Sequence, residues 1–282
     1  MKMMTFFDLP QRTRPGLFVT GIDTAVGKTV VTCAIAEYLS RAGLKVGVCK
    51  PFATGCRSER GNLVSDDAEA LAHYAQLSPE VGGLGLVAPA SYKPEAAPAV
   101  SMELAGCPLD VSPLRRSLAT LDEHCDVILV EGSGGLMLPI DPQRPNVTQL
   151  DLVREMGYPA IVVSNAGHSA LSHTTMTAAM LRQAMCPTAG LVANFYEPDH
   201  PDPSHQANAA WLSRLTLLPV LATIPRVAEG QAEVSAGRLH DDIRAAIVMT
   251  DWRHVVRRPT PVTQQTSPGS GPGWITYQQP RG

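Results

Sequence analysis

The chain has 282 residues, of which 44% are hydrophobic, and a formal net charge of −3. This length and apolar content suit one large α/β domain or two small ones, and the weak negative charge argues against a nucleic-acid partner. The apolar patch near the start is broken by Asp8 and Pro10, and no apolar run approaches the roughly 18 residues of a membrane span. The six cysteines are scattered without a CxxC pair. We therefore expect reduced thiols, no signal peptide, no membrane association and a cytoplasmic protein.

Short apolar runs rich in Val, Ile and Leu alternate with longer segments that are compatible with helices. This alternation is typical of βαβ units, and it predicts one doubly wound, mainly parallel sheet with helices on both faces, an α/β fold. The predicted strands are Leu17–Thr20, Lys45–Cys49, Val127–Glu131, Ala160–Ser164, Gly190–Phe195 and Val220–Ile224.

Composition divides the chain into three parts. Residues 1–14 form an N-terminal extension, residues 15–257 form the α/β domain, and residues 258–282 are rich in Pro, Gly, Gln, Ser and Thr. Because such a composition offers little that can pack into a core, we expect a disordered tail after residue 257.

The first predicted strand leads into the loop "TGIDTAVGKT", residues 20–29, and then into a segment that predicts a helix closing at Gly43. Gly27, Lys28 and Thr29 supply the second half of a P-loop: backbone N–H groups for phosphate oxygens, an ammonium group and a hydroxyl for Mg²⁺. Gly21 lies one residue earlier than the common G-x-x-x-x-G-K-[ST] spacing requires. The strand, loop and helix still favour a phosphate site in a fold of the P-loop NTPase type.

Two charged residues end apolar strands. Lys50 follows the second predicted strand and Glu131 ends the third, where parallel α/β sheets bind ligands. A carboxylate behind four apolar residues is costly unless it is paired or binds a metal. Thr29, Glu131 and one aspartate from residues 66–67 therefore form a suitable oxygen set for Mg²⁺, and a helix N-cap is the alternative role for either aspartate.

Two other patterns are weaker. The segment "GSGGLM", residues 132–137, resembles a dinucleotide loop, but Pro139 stands where a helix should continue. His168 and His173 could suggest a metal site, but they are five residues apart and have no acidic neighbours in the sequence.

Several motifs occur in the order typical of one enzyme family. The loop "TGIDTAVGKT" resembles the TGTDTxVGKT signature of dethiobiotin synthetases, which has the same extra residue. "KPFATG" (50–55), "SDDAEAL" (65–71) and "VILVEGSGGLMLPI" (127–140) are similar to the family's KPxxTG, SDA and LVEGAGG segments. "LVANF" (191–195) and "ATIP" (222–225) resemble its nucleotide-base site. The matches span roughly residues 16 to 225.

This resemblance implies roles for individual residues. Lys28, Lys50 and Thr54 would be catalytic, with Lys50 binding the substrate carbamate and the transferred phosphoryl group. Thr29, Asp67 and Glu131 would hold Mg²⁺. The nucleotide would contact Asp23, Thr24, Ala25, Val26, Gly27, Lys28, Thr29, Val30, Glu131, Gly132, Gly134, Gly135, Asn194 and Pro225.

The resemblance also implies a reaction and partners. It implies a Mg²⁺- and ATP-dependent ligase that closes a cyclic urea from 7,8-diaminopelargonate and CO₂ in biotin synthesis, through a carbamate and a carbamic-phosphoric anhydride. It further implies a homodimer in which the segment around residues 167–174 receives the substrate carboxylate of the neighbouring subunit. The sequence departs from the family at Ile22, Ala25 and Ser172.

Two alternatives remain open from the sequence. A corrin-amidating relative would share the P-loop sheet, but it normally has a glutaminase domain with a Cys nucleophile, and no Cys follows Pro225. A nucleotide-switch ATPase of the partitioning type would have an additional lysine early in the P-loop, and residues 22–26 contain no lysine. It would also have a basic amphipathic helix that binds membranes, and the tail after residue 257 shows no such helix.

Overall fold

The computed structural model describes residues 5–78, 81–167, 169–197, 199–228 and 231–260. The strands are β1 Gly16–Gly21, β2 Val46–Cys49, β3 Phe52–Ala53, β4 Arg57–Glu59, β5 Asn62–Val64, β6 Ala90–Ser91, β7 Val127–Gly135, β8 Pro139–Asp141, β9 Arg144–Thr148, β10 Ala160–Asn165, β11 Thr188–Tyr196 and β12 Val220–Pro225. The α-helices are α1 Lys28–Arg41, α2 Asp66–Tyr74, α3 Leu84–Val87, α4 Pro98–Leu104, α5 Ser112–His124, α6 Gln149–Met156, α7 Ala170–Gln183, α8 Ser204–Thr216, α9 Asp241–Val248 and α10 Trp252–Val255.

Six strands form one parallel sheet in the order β12-β11-β10-β1-β7-β2. These are the six strands that the apolar runs predict, so the predicted fold class is confirmed. Strand β7 is longer than predicted, because after a shift in register Gly21 at the end of β1 pairs with Gly135. None of the helices in the described ranges is long and apolar enough to cross a membrane.

Side chains of the central strands alternate between two cores, one on each face of the sheet. Leu17 and Val19 of β1 pack into the core that α1, α2, α9 and α10 cover. Phe18 packs into the opposite core with residues of α5, α6, α7 and α8. Because both faces are covered, the strands are apolar throughout rather than alternating with polar residues.

Helix α1 begins where the sequence predicts it, directly after the glycine of the P-loop. Gly27 is its N-cap residue with a φ of 85°, and the chain leaves the helix through Gly43, whose φ is 87°. A β-carbon on Gly27 would lie 2.1 Å from the Asn194 amide nitrogen, so this turn requires glycine both for its φ and for space.

Both ends of the described chain are fastened to the domain. The N–H groups of Phe6, Phe7 and Leu9 donate to the Glu155 carboxylate at 2.9, 3.1 and 3.2 Å, and the Phe7 side chain is fully buried. At the other end, the Thr260 N–H donates to the Gly157 carbonyl at 2.8 Å. Residues 258–260 of the predicted tail therefore lie on the domain, and residues 261–282 lie outside the described range.

Candidate active site

The register between β2 and β7 places two charged side chains next to each other. Cys49 pairs with Val130, so the residues that follow them, Lys50 and Glu131, emerge together at the carboxyl edge of the sheet. The Lys50 Nζ donates to Glu131 Oε1 at 2.8 Å. The Glu131 side chain is fully buried and Lys50 is nearly so. The structure therefore brings these two predicted residues into direct contact.

Two further residues complete what we call the sheet-edge cluster, consisting of Thr29, Lys50, Asp67 and Glu131. Asp67 lies in the first turn of α2 and accepts a hydrogen bond from Lys50. The Thr29 hydroxyl lies 3.0 Å from Asp67 Oδ1 and 2.9 Å from Glu131 Oε1. Asp66 instead pairs with Arg57 at the surface. Of the two aspartates that the sequence left open, Asp67 is the one beside Thr29 and Glu131.

The charges of the cluster raise the pKa of Lys50 and lower the pKa of Asp67. Burial alone would lower the pKa of Lys50, but the adjacent Glu131 and Asp67 carboxylates outweigh burial and raise it. Burial alone would raise the pKa of Asp67, but the charge and hydrogen bond of Lys50, with the Thr29 hydroxyl, lower it. Lys50 is therefore an ammonium ion and Asp67 a carboxylate at neutral pH.

Lys28 of the P-loop lies near this cluster, and its pKa shifts in the opposite direction to that of Lys50. Its Nζ donates to the Asp23 carbonyl at 2.7 Å. Burial, helped by repulsion from Lys50, lowers its pKa from 10.5 to about 8 although Glu131 and Asp67 act in the other direction. An anion beside Lys28 would restore the pKa, because an opposite charge favours the ammonium form.

One observation in particular indicates that Thr29, Asp67 and Glu131 suit a divalent cation. Glu131 Oε2 is buried and has no hydrogen-bond partner. A buried carboxylate oxygen without a partner is costly, and Mg²⁺ prefers oxygen ligands of this type. The donors Thr29, Asp67 and Glu131 are all oxygens, so the set suits a hard cation.

The cluster opens into a cavity of about 670 Å³, which we call the P-loop cavity. The predicted residues that line it are Thr24, Ala25, Gly27, Lys28, Thr29, Lys50, Thr54, Asp67, Glu131 and Gly134. Glu95, Ser133 and Leu138 also line it, and sequence reasoning missed them. Ser133 could have been found from its place beside Glu131, but nothing near Glu95 resembles a known motif.

A second cavity, of about 590 Å³, is lined by three predicted residues: Val30 in the first turn of α1, Asn194 near the end of β11 and Pro225 at the end of β12. Arg226 and Glu233 line it as well and were not predicted. The Arg226 guanidinium lies 4.9 Å from the centre of the Phe195 ring. The Asn194 amide donates to the Val26 carbonyl at 2.9 Å, so this side chain also fixes the P-loop.

Four predicted nucleotide-binding residues lie outside these two cavities. Val26 is a buried residue of the P-loop itself, and Gly132 lies inside β7 against Gln149. Asp23 and Gly135 line a third cavity of about 690 Å³ with Met137, Met176 and Met180, which we call the methionine cavity. His173 also lines the methionine cavity, and His168 lies outside the described residues.

A group of Glu197, His200 and His205 lies after β11. The two imidazole rings are stacked, with centres 4.0 Å apart and planes 18° apart. Glu197 pairs with Arg226 at 2.5 Å. Because the lone pairs of an imidazole lie in its ring plane, two stacked rings cannot direct nitrogens at one ion, and we assign no metal site here.

The chain is similar to known proteins over most of its length. A family model described as an AAA domain matches residues 15–234. The ATP-dependent dethiobiotin synthetase BioD of Thermodesulfovibrio yellowstonii is 32% identical over 220 residues, which cover 77% of this chain and 90% of that protein. The protein of the same name from Rhodococcus jostii is 35% identical over 222 residues, which cover 78% of this chain and 90% of that protein.

Solved structures share the fold alone. The septum site-determining protein MinD of Pyrococcus horikoshii, complexed with Mg-ADP, superimposes with a TM-score of 0.51 at 20% identity, covering 84% of this chain and 93% of that one. The alignments cover 90% of the length of both dethiobiotin synthetases, at 32% and 35% identity. The chain belongs to the ATP-dependent dethiobiotin synthetase family.

Proposed function

We propose that the protein is an ATP-dependent ligase that closes the cyclic urea of dethiobiotin from 7,8-diaminopelargonate and CO₂. Its membership of the dethiobiotin synthetase family supports the reaction class. The observation that carries the proposal is Lys50, a nearly buried ammonium group that opens into the P-loop cavity beside Glu131 and Asp67. A fixed cation beside the P-loop suits the transfer of a phosphoryl group to a second anion.

In this proposal one amine of the substrate captures CO₂ as a carbamate, ATP phosphorylates the carbamate oxygen, and the second amine displaces phosphate. No enzyme nucleophile is needed. The residues of the chain align the reactants and stabilise negative charge, which is the main catalytic contribution in phosphoryl transfer.

Each cavity has a part in the proposal. Lys28 and the backbone of residues 24–29 bind the phosphates, and the cavity with Val30, Asn194 and Pro225 binds the nucleotide base. Lys50 and Thr54 bind the carbamate. Thr29, Asp67 and Glu131 would hold Mg²⁺, which would supply positive charge to the phosphate oxygens.

We further propose a homodimer that forms across the methionine cavity. Met137 and Met176 are 52% and 55% exposed there, and Met180 lines the same cavity, so a second subunit would cover a group of apolar side chains. The segment around residues 167–174 would then contribute to the neighbouring active site. Sedimentation that shows only monomer under assay conditions would contradict the dimer.

The test of the reaction is a coupled phosphate assay in degassed buffer, with diaminopelargonate and bicarbonate omitted in turn. We expect ATP hydrolysis to be negligible until both are added, because phosphate is released only after the carbamate forms. Robust hydrolysis without the diamine would overturn the ligase and favour a nucleotide switch.

A further inference from the structure

Three carboxylates line the P-loop cavity within the described part of the chain, and they differ in their partners. Asp67 and Glu131 are both bound by Lys50 and lie beside Thr29. The third is Glu95, which has an exposed side chain without a hydrogen bond or ion pair to any described residue. Glu95 is therefore the lining carboxylate that is available to a ligand.

The backbone that carries Glu95 is held firmly to the turn that carries Thr54. The N–H of Tyr92 donates to the Ala53 carbonyl at 2.8 Å, and the Gly55 N–H donates to the Pro94 carbonyl at 3.0 Å. The hydroxyl of Ser101 in α4 donates to the same Pro94 carbonyl at 3.0 Å. These bonds fix the residue just before Glu95 against the turn after Lys50.

Gly55 determines where the Glu95 side chain can lie. Its φ is 72°, and a β-carbon there would be 3.2 Å from Glu95 Cγ and 3.7 Å from Glu95 Cδ. The stem of Glu95 therefore packs directly over Gly55, beside Thr54. Glu95 thus lies at the rim of the cavity that contains Lys28 and Lys50.

Charge identifies the ligand group that such a carboxylate would bind. An alkyl amine is an ammonium ion at neutral pH, because its pKa is about 10. Lys28 and Lys50 repel an ammonium ion, and Asp67 and Glu131 are already bound by Lys50. A substrate with two amines thus brings a positive charge into a cavity where Glu95 is the one lining carboxylate without a partner in the described residues.

We propose that Glu95 binds the ammonium group of the diamine substrate, at the amine that attacks last. This inference rests on the proposed function and names the residue that recognises the second amine. Because Glu95 is exposed, water reaches the ion pair and takes the proton that this amine loses before it attacks. A carboxylate at the rim also favours a diamine over a monoamine of the same length.

The test compares initial-rate kinetics of the wild type, Glu95→Gln, Glu95→Asp and the control Glu103→Gln. Glu103 is an exposed acid of the neighbouring helix α4 that does not line the cavity. We expect Glu95→Gln to raise the KM for the diamine roughly five- to tenfold, as the loss of one partly screened ion pair does, with the KM for Mg·ATP unchanged. Glu95→Asp should recover part of the loss, and Glu103→Gln should match the wild type.

A second measurement uses pelargonate, which lacks both amines, as a competitive inhibitor. It should inhibit the wild type and Glu95→Gln with equal Ki, because it has no ammonium group for Glu95 to bind. An unchanged KM for the diamine in Glu95→Gln, or an equal rise in the KM for Mg·ATP, would overturn the proposal. A wild type that turns over without the diamine would instead overturn the ligase function itself, so the two failures are distinguishable.

Discussion

Two groups of charged side chains have similar contact distances but different surroundings. In the sheet-edge cluster, Lys50 and Glu131 are 2.8 Å apart, and their side chains are 9% and 0% exposed. In the α10 cluster, which consists of Asp251, Arg253 and His254, Asp251 and Arg253 are also 2.8 Å apart, but their side chains are 36% and 56% exposed. Contact distance alone therefore does not distinguish a site from a surface ion pair.

Burial makes the difference between them. Water and salt screen exposed pairs, so they contribute little to stability, whereas a buried pair loses hydration and must find compensating contacts. The sheet-edge cluster still leaves Glu131 Oε2 without a partner. Such an unpartnered buried oxygen suits a ligand, and among the described residues the α10 cluster has none.

The largest expected effect comes from Lys50→Gln. Loss of one well-placed cation in a water-poor site should lower kcat by roughly a hundredfold, about 3 kcal/mol, while Mg·ATP still binds. Single-turnover phosphate release and calorimetric titration with Mg·ATP measure the two quantities.

The same substitution should lower the melting temperature without Mg²⁺, because Glu131 and Asp67 lose the cation between them. Added Mg²⁺ should restore more stability to the variant than to the wild type. Lys45→Gln is the matched control, since Lys45 is an exposed lysine just before the amino end of the same strand β2. If Lys50→Gln turned over as fast as Lys45→Gln, the sheet-edge cluster would matter no more for activity than an exposed surface charge.

An effect of intermediate size is expected from the protonation of the Lys28 side chain. Its pKa of about 8 lies below its ordinary 10.5, so the folded protein binds fewer protons than the unfolded chain between these values. This group alone therefore makes the ligand-free protein more stable as the pH rises from about 8 to 10.5. Phosphate beside Lys28 restores its proton, so nucleotide binding at pH 8 should take up about half a proton from the buffer.

Calorimetry of nucleotide binding in buffers with different ionisation enthalpies measures this uptake. Lys28→Gln, which cannot titrate at residue 28, should lose it, and Lys45→Gln should keep it. Binding enthalpies that do not depend on the buffer in the wild type would contradict the lowered pKa.

The smallest effect is expected from Asp251→Asn in the α10 cluster. Arg253 and His254 hydrogen bonds hold the pKa of Asp251 below its usual range, and Asp251 also caps α10. Because the pairs are exposed, activity should not change and the melting temperature should fall by no more than about 2 °C. A loss of activity in Asp251→Asn would show that this surface pair affects the site.

The sequence predicted the six sheet strands because each is an apolar run that is buried on both faces. It did not predict the hairpins β4–β5 and β8–β9, whose strands are short, largely polar and set by local turns. Lys50 and Glu131 were predicted at strand ends, but their contact depends on the β2–β7 register between segments far apart in the chain. A single sequence does not determine such a register.

Other parts of the site had no signal in the sequence at all. Glu95 reaches the cavity because its loop is bound to the turn after Lys50, and neither loop has a periodic pattern. Arg226 lines the second cavity because Tyr196 fixes its backbone, with an N–H to carbonyl distance of 2.9 Å. Loop positions of this kind follow from tertiary contacts, whereas the P-loop was recognisable from its glycine, lysine and threonine.

The anchoring of residues 257–260 has a practical consequence for handling the protein. Arg257 pairs with Gly16 at the start of β1, and Thr260 with Gly157 just before β10. Both contacts lie at the amino edge of the sheet, opposite the P-loop cavity. A fluorescent label or an immobilising tag joined directly to Thr260 would therefore begin at the edge of the sheet opposite the P-loop cavity.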